Sequence, residues 1–341
     1  MKRLALVAAA IAFSVQLATS AQAEAQSVED FYNGKTIRVL IGTAPGGGYD
    51  LYGRLFTKYI GKYIPGNPEV IAENMPGAGQ YRAARYLETA APKDGTVLLT
   101  VVQTVVVDDV SGGDARVDSS KLNWIGRLTS NVAVGAVWSQ KGVGDIDDFR
   151  ATEVIFGSTG VGDTTDLIPK MLNEYAGTNI RIISGYKGAA EMSPAMERGE
   201  LDGYIGSWAA FKTRRAQLLE ENKIDIVFQM AQSRHADLPD IPTIEELALS
   251  EDGKAAMRFL SSSAEIGRSV VGPPGMPEDR VAALREAFAK MLQDPDLIAE
   301  VEALGIDFIA ASGVELERIA AETRAVPDAT LSAINAALGA R

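Results

Sequence analysis

The residues best equipped for chemistry are three glycine-rich runs, each followed by a helical pattern. They are Pro45-Gly46-Gly47-Gly48-Tyr49-Asp50, Asn74-Met75-Pro76-Gly77-Ala78-Gly79, and Gly157-Ser158-Thr159-Gly160-Val161-Gly162-Asp163-Thr164-Thr165. Glycine turns with positive φ and lets a ligand come close to the backbone. A helix beginning just beyond such a run points free N–H groups and the positive end of its dipole at the same space. Together these make an anion site out of backbone. Asp50 either caps its helix or touches a ligand, and Tyr49 either covers a ligand or is an ordinary loop aromatic. The Ser/Thr hydroxyls of the third run suit a carboxylate; helix capping accounts for Thr164 or Thr165 but not for the whole run. Tyr186 and Lys187 stand in another loop, Gly185 to Gly188, where the ammonium either pairs with a carboxylate or stays solvated.

Other chemistries are poorly supplied. With 0 Cys and 1 His there is no thiol nucleophile, no disulfide and no Cys-ligated metal, and a zinc site is not expected. A Ser-His-Asp triad would have to pass through His235, and the run around Ser158 is not a G-x-S-x-G elbow. An α/β hydrolase using Ser158 therefore lacks an obvious base. Gly77 and Gly79 begin a G-x-G-x-x-G run, but Arg82 holds the third position, so no dinucleotide is expected. The expectation is no cofactor, no metal and no catalytic residue.

Strand, glycine-rich loop and helix repeat along the chain. Strands are expected at 36–41, 69–72 and 96–102, with a helix over 81–90. The same grammar returns with strands at 153–156, 181–183, 202–206 and 224–228, and helices over 166–176 and 189–198. This is an α/β pattern, and in open α/β sheets ligands bind at the carboxyl ends of strands, where these loops lie. Ser269 to Gly272 reads as a strand returning to the first set. An amphipathic helix follows over 277–293, with Val281, Leu284, Ala287, Phe288 and Leu292 on one face. Chain crossings near Ser130 and near Ser261 would make a two-strand hinge.

The ends and the composition set the context. Lys2 and Arg3, an apolar stretch from Leu4 to Leu17, and Ala21-Gln22-Ala23 form the three-part pattern of a cleaved secretory signal over 1–23. Cleavage removes two basic residues, which leaves 31 Lys+Arg against 45 Asp+Glu and a net charge of about −14, a poor partner for nucleic acid. With 341 residues the chain is too long for one core, and 46% hydrophobic residues supply material for two.

The segments 44–54, 73–79, 157–162, 185–188, 199–203, 238–243 and 272–277, in this order, resemble the extracytoplasmic receptors of tripartite tricarboxylate transporters, the Bug receptor family. The likeness covers nearly all of the mature chain. It implies a two-lobed α/β periplasmic-binding-protein fold of type II, each lobe a mostly parallel sheet flanked by helices. Lobe 1 would comprise 24–130 plus 262–341, and lobe 2 would comprise 131–261. The lobes would close on a small organic acid. The resemblance places ligand contacts at Pro45, Gly46, Gly47, Tyr49 and Asp50, at Gly77, Ala78 and Gly79, and at Ser158, Thr159, Gly160, Asp163, Thr164 and Thr165. Tyr186, Lys187 and Ser207 complete the expected set. It further implies a periplasmic monomer that delivers its ligand to membrane subunits of the transporter; a sensor feeding a signalling kinase shares the same fold. The sequence departs from the family where many members carry Arg at Met75, Gly at Gln80 and His at Asp166. Met75 and Trp208, if they face the cleft, would favour an apolar or aromatic part in the ligand.

Overall fold

The computed structural model describes residues 26–112 and 117–338. The expected secretory signal lies outside them. The first stretch runs α1 (Val28–Tyr32), β1 (Thr36–Ile41), α2 (Gly48–Ile60), β2 (Glu69–Asn74), α3 (Tyr81–Thr89), β3 (Val97–Thr100), α4 (Val105–Ser111) and β4 (Asn123–Arg127). The second runs β5 (Ala133–Trp138), α5 (Ile146–Ala151), β6 (Val154–Ser158), α6 (Thr164–Ala176), β7 (Ile180–Ser184), α7 (Ala189–Glu197), β8 (Gly203–Ser207), α8 (Trp208–Arg214), α9 (Ala216–Glu220), β9 (Ile224–Met230) and α10 (Glu251–Ser262). The third runs β10 (Ser269–Gly272), α11 (Glu278–Met291), α12 (Pro295–Leu304), β11 (Ala311–Ser312), α13 (Gly313–Arg324) and α14 (Asp328–Leu338).

These strands make two sheets, ordered β11-β4-β10-β3-β1-β2 and β7-β6-β8-β5-β9. Both are mixed, with most strands running the same way: β1, β2, β3 and β4 in the first and β6, β7, β8 and β9 in the second. β1 pairs in parallel with β2 and β3, and β6 with β7 and β8. Besides the short edge strand β11, which runs against β4, the antiparallel members are the strands that arrive from the other sheet. β10 runs against β3 and β4, and β5 runs against β8 and β9. A chain crossing the cleft enters each sheet at the carboxyl ends of its parallel strands, so it must run the opposite way.

Each sheet is covered on both faces. Val39, Phe56, Leu98, Leu284 and Phe288 pack on one side of the first sheet, and Leu87, Leu99, Trp124 and Leu316 on the other. In the second sheet Phe149, Phe156 and Phe228 form a ring cluster under α6 and α10, while Met192, Tyr204 and Phe211 pack on the opposite face. Strands buried on both faces read as continuous apolar runs, as Val97-Leu-Leu-Thr100 does. The last helix departs from the expected grouping of 262–341 with the first sheet. Ile334 of α14 joins the core beneath the second sheet, and the Tyr175 hydroxyl donates to the Ala333 carbonyl at 2.6 Å.

The two central crossings are bonded to each other. The Leu128 N–H donates to the Arg268 carbonyl at 3.2 Å, and the Arg268 N–H donates to the Thr129 carbonyl at 2.9 Å. The Asn131 N–H donates to the Ala264 carbonyl at 2.9 Å. The second crossing therefore lies over 263–268, since Ser261 is still inside α10.

The close packing of α11 on β4 leaves no room for a side chain at Gly126, where an added Cβ would enter the Phe288 ring. Gly126→Ala should cost about 1–3 kcal/mol of stability by overpacking. Urea unfolding monitored by circular dichroism should show a lower midpoint with the slope unchanged.

Candidate functional site

The carboxyl ends of β1 and β3 face those of β6 and β8 across a cleft, and the glycine-rich loops fill its two walls. On the first wall α2 begins at Gly48 after an extended Gly47. Asp50, at the third helical position, accepts hydrogen bonds from the Gly46 N–H at 2.9 Å, from Arg54 Nε at 2.9 Å and from Asn74 Nδ2 at 3.1 Å. It ties the loop to its own helix and to the end of β2. Burial pushes the Asp50 carboxyl up, but these three donors outweigh it and hold it below its ordinary value. Tyr49 turns inward. Its hydroxyl accepts from the Gln103 N–H at 2.8 Å, and burial raises its pKa, so the phenol stays neutral.

The second wall is built on the start of α6. Asp163 is the helix cap, accepting from the Thr165 N–H at 2.8 Å and the Thr165 hydroxyl at 2.7 Å. The Thr159 N–H donates to Thr165 Oγ1 at 2.9 Å, and Ser158 Oγ accepts from the Gly160 N–H at 3.1 Å and lies 3.2 Å from Thr165 Oγ1. Most of the hydroxyls of this run thus shape the loop itself. Ser158 has no base beside it. His235 accepts from the Asp237 N–H through Nδ1 at 3.1 Å and points Nε2 at Asp307, 3.6 Å away.

The walls touch directly. The Gly79 N–H donates to the Thr159 carbonyl at 3.0 Å and the Ala44 N–H to the Lys187 carbonyl at 2.9 Å. Gln80 Nε2 donates to Asp163 Oδ2 at 2.6 Å, and Thr104 Oγ1 to the Gly162 carbonyl at 2.7 Å. They enclose a cavity of about 60 Å³ lined by Thr43, Gly47, Tyr49, Gln80, Gln103, Asn131, Thr159, Asp163, Thr164, Thr165, Ser207 and Arg268, with Met192 and Ile205 as its apolar patch. A larger open groove, about 700 Å³, lies between α10 and the α13–α14 turn, but no unpartnered buried polar atom lines it.

Arg268 dominates the cavity. The residue is 4% exposed and its guanidinium stacks on the Tyr49 ring at 4.0 Å. Nη1 donates to Gln103 Oε1 at 3.0 Å and Nη2 to Asn131 Oδ1 at 2.6 Å. Its Nε has no acceptor, and it forms no ion pair among the described residues. Burial pulls its pKa down from the ordinary value, yet a guanidinium remains protonated in proteins, so the charge stays. Three more buried polar atoms of the lining lack a partner: Thr43 Oγ1, Gln80 Oε1 and Gln103 Nε2.

Of the residues expected from sequence, Gly47, Tyr49, Thr159, Asp163, Thr164, Thr165 and Ser207 line this cavity. Pro45, Gly46, Asp50, Gly77, Ala78, Gly79, Ser158, Gly160, Tyr186 and Lys187 do not. Gly79 and Gly160 serve the contact between walls, and the Lys187 ammonium is exposed, 3.7 Å from Glu191. Met75 packs beside the core of the first sheet, and Trp208 lies in the core on one face of the second, its indole N–H donating to Asp237 at 2.9 Å. Sequence reasoning missed Thr43, Gln80, Gln103, Asn131 and Arg268. Thr43 and Gln103 sit just past strand ends, the signal already used for the glycine loops. Gln80 was visible as a departure from the family pattern.

The comparisons with known proteins agree in kind. A family model described as the tripartite tricarboxylate transporter family receptor matches residues 64–336. The chain is 26% identical over 323 residues to the "UPF0065 protein in gbd 5' region" of Cupriavidus necator, covering 93% of this chain and 91% of that one. It is 25% identical over 283 residues to a UPF0065 protein of Agrobacterium vitis, covering 81% and 77%. Among solved structures, the periplasmic binding protein BugD superposes with a TM-score of 0.71 at 18% identity, covering 91% of this chain and 99% of that one. MatC from Rhodopseudomonas palustris, with bound malate, gives 0.68 at 21% identity, covering 89% and 99%. These likenesses establish the two-lobed fold.

Two substitutions probe the walls. A Cβ at Gly160, where φ is +138°, would stand 2.6 Å from the Gly79 nitrogen. Gly160→Ala should hold the walls apart, giving a larger radius of gyration by small-angle scattering with an unchanged far-UV spectrum. Because the folded Asp50 pKa lies below the unfolded value of 3.8, its stabilisation is complete above that value and is lost as pH falls below it. Asp50→Asn should therefore lose about 1–3 kcal/mol near neutral pH, and the gap to the parent should close below about pH 4 in pH-dependent urea titrations.

Proposed function

The chain belongs to the tripartite tricarboxylate transporter family of solute receptors, and on that premise we propose that it captures a small organic acid in the cavity between its lobes and presents it, closed, to the membrane subunits of a transporter. The observation that carries this reading is Arg268. A cation taken out of water without a counter-ion is costly, and a hydrogen-bonded anion beside it offsets that cost. The cavity provides space on the Arg268 side, the unpartnered Nε, and the free amide of Gln103. A carboxylate fits that set in charge and in hydrogen-bonding capacity.

The family is one of receptors, and capture requires no bond of the solute to change. The hinge would be the pair of crossings at 128–131 and 263–268, with residues up to 130 and 262 to about 326 moving as one lobe and 131–261 with α14 as the other. The solute favours the closed form only by as much as it prefers it over the open one. BugD, a structural neighbour, is a periplasmic binding protein, and MatC was solved with malate. The reading extends to this chain a cleaved signal over 1–23, a periplasmic location and a monomeric state. The net negative charge of the protein does not oppose anion capture, because distant exposed charges are screened beyond about 8–10 Å while the site is decided locally.

Arg268→Met should abolish acid binding, at least about a hundredfold in Kd by calorimetry, from losing a buried charge partner. The empty variant should melt no lower than the parent, since an uncompensated buried charge has been removed. Equal acid affinity in the variant would remove this cavity as the site.

A further inference from the structure

We infer that the solute is a short acid with a single carboxylate and a hydrogen-bond donor, a hydroxyl or an ammonium group, on the neighbouring carbon. This rests on the receptor reading above and narrows it. Three observations carry it: the size of the cavity, its charge, and the fixed orientation of two amides.

A cavity of about 60 Å³ exceeds what one water needs but is small, which favours a short solute. The volume is set by the direct bonds between the walls. A longer solute would have to extend out of the cavity or break the Gly79–Thr159 and Gln80–Asp163 contacts to fit.

The charge is also limiting. Arg268 is the cation lining the cavity. Of the nearby basic groups, Lys187 lies beside Glu191, Lys212 pairs with Asp237 and Asp307, Arg214 lies 3.9 Å from Asp50, and Arg215 lines a separate adjoining pocket, where it donates to the Arg214 and Ala189 carbonyls. A second carboxylate would be buried without a counter-ion and close to the Asp163 carboxylate, which is unfavourable on both counts.

The amides define two poles. Gln103 Oε1 accepts from Asn131 Nδ2 at 2.5 Å and from Arg268 Nη1 at 3.0 Å, so its Nε2 must be the free end, a donor. Gln80 Nε2 donates to Asp163 Oδ2, so its free Oε1 is an acceptor and cannot be exchanged by flipping the amide. One pole offers donors to a carboxylate, and the other offers an acceptor to a donor. A simple fatty acid would satisfy the first pole and leave Gln80 Oε1 buried and unpaired. A hydroxy or amino acid satisfies both.

The test uses the mature protein, unfolded and refolded to strip any carried solute, with thermal shift and calorimetry against propionate, lactate, glycolate, alanine, glycine, malate, adipate and citrate. The expected result is binding by the short hydroxy acids or the short amino acids, at least about tenfold tighter than propionate, the penalty for an unpaired buried acceptor. Malate, adipate and citrate should bind more weakly than the best of these. In Gln80→Leu the preference over propionate should collapse towards one. Dicarboxylates binding as tightly as the best short acid would overturn the inference and leave the receptor reading standing. Propionate matching lactate and alanine, or a preference unchanged in Gln80→Leu, would overturn the donor requirement. Failure of every acid to bind the refolded parent would sink the receptor reading and this inference with it.

Discussion

A guanidinium held out of water with no carboxylate beside it is the constraint on which the cleft is organised. Arg268 sits where the chain crosses back from the second sheet into β10, and its backbone is bonded to the other crossing on both sides. The side chain can then reach only the space between the sheets. Gln103 from the end of β3 and Asn131 from the first crossing supply carbonyl oxygens to it, and the Tyr49 ring supplies a π face. These neutral partners reduce the cost of the buried charge without cancelling it. On the proposed reading, the residual cost would favour an anion in the cavity, and it would couple the solute to the hinge, because the residue that would hold the carboxylate is itself part of the crossing.

Closure uses inexpensive parts. Backbone N–H and carbonyl groups of the glycine loops meet directly across the cleft, and each such bond contributes a modest net stabilisation. Glycine is required at the closest approach. Gly79 and Gly160 both adopt positive φ, and a Cβ on either would collide with backbone of the opposite wall. At the outer edge Lys212 bridges Asp237 and Asp307, and His235 lies between the same two carboxylates. These partly exposed pairs each contribute modestly. On the proposed reading, such a set of weak contacts would leave the open and closed forms close enough in free energy for a small solute to decide between them.

The mixed sheets follow from the same geometry. A strand that comes from the other sheet must enter at the cleft end, and so it lies antiparallel to the strands whose carboxyl ends form the cleft. β5 and β10 are those strands, and they bring Ala133 and Arg268 to the cavity. α14 adds a third passage, placing its apolar face on the core beneath the second sheet.

The sequence alone determined the repeating strand, loop and helix, because apolar periodicity and glycine are local signals. It located β1, β6, α6 and α11 within a few residues, the two crossings, and the loops that form the walls. Of its candidate residues, Tyr49, Asp163, Thr165 and Ser207, each next to a glycine-rich run or a strand end, line the cavity between the walls. Tertiary structure decided what those loops do. Asp50 and Ser158 spend their polar atoms on the loops themselves, since their nearest donors are in the same turn. Gln80, Gln103, Asn131 and Arg268 come from four separated segments; Gln103 sits just past a strand end and Gln80 departs from the family pattern, but nothing in their local surroundings marks Asn131 or Arg268. Only the return of the chain through the hinge brings a buried cation to the Gln103 and Asn131 amides and an aromatic face, and burial turns those ordinary side chains into a candidate site.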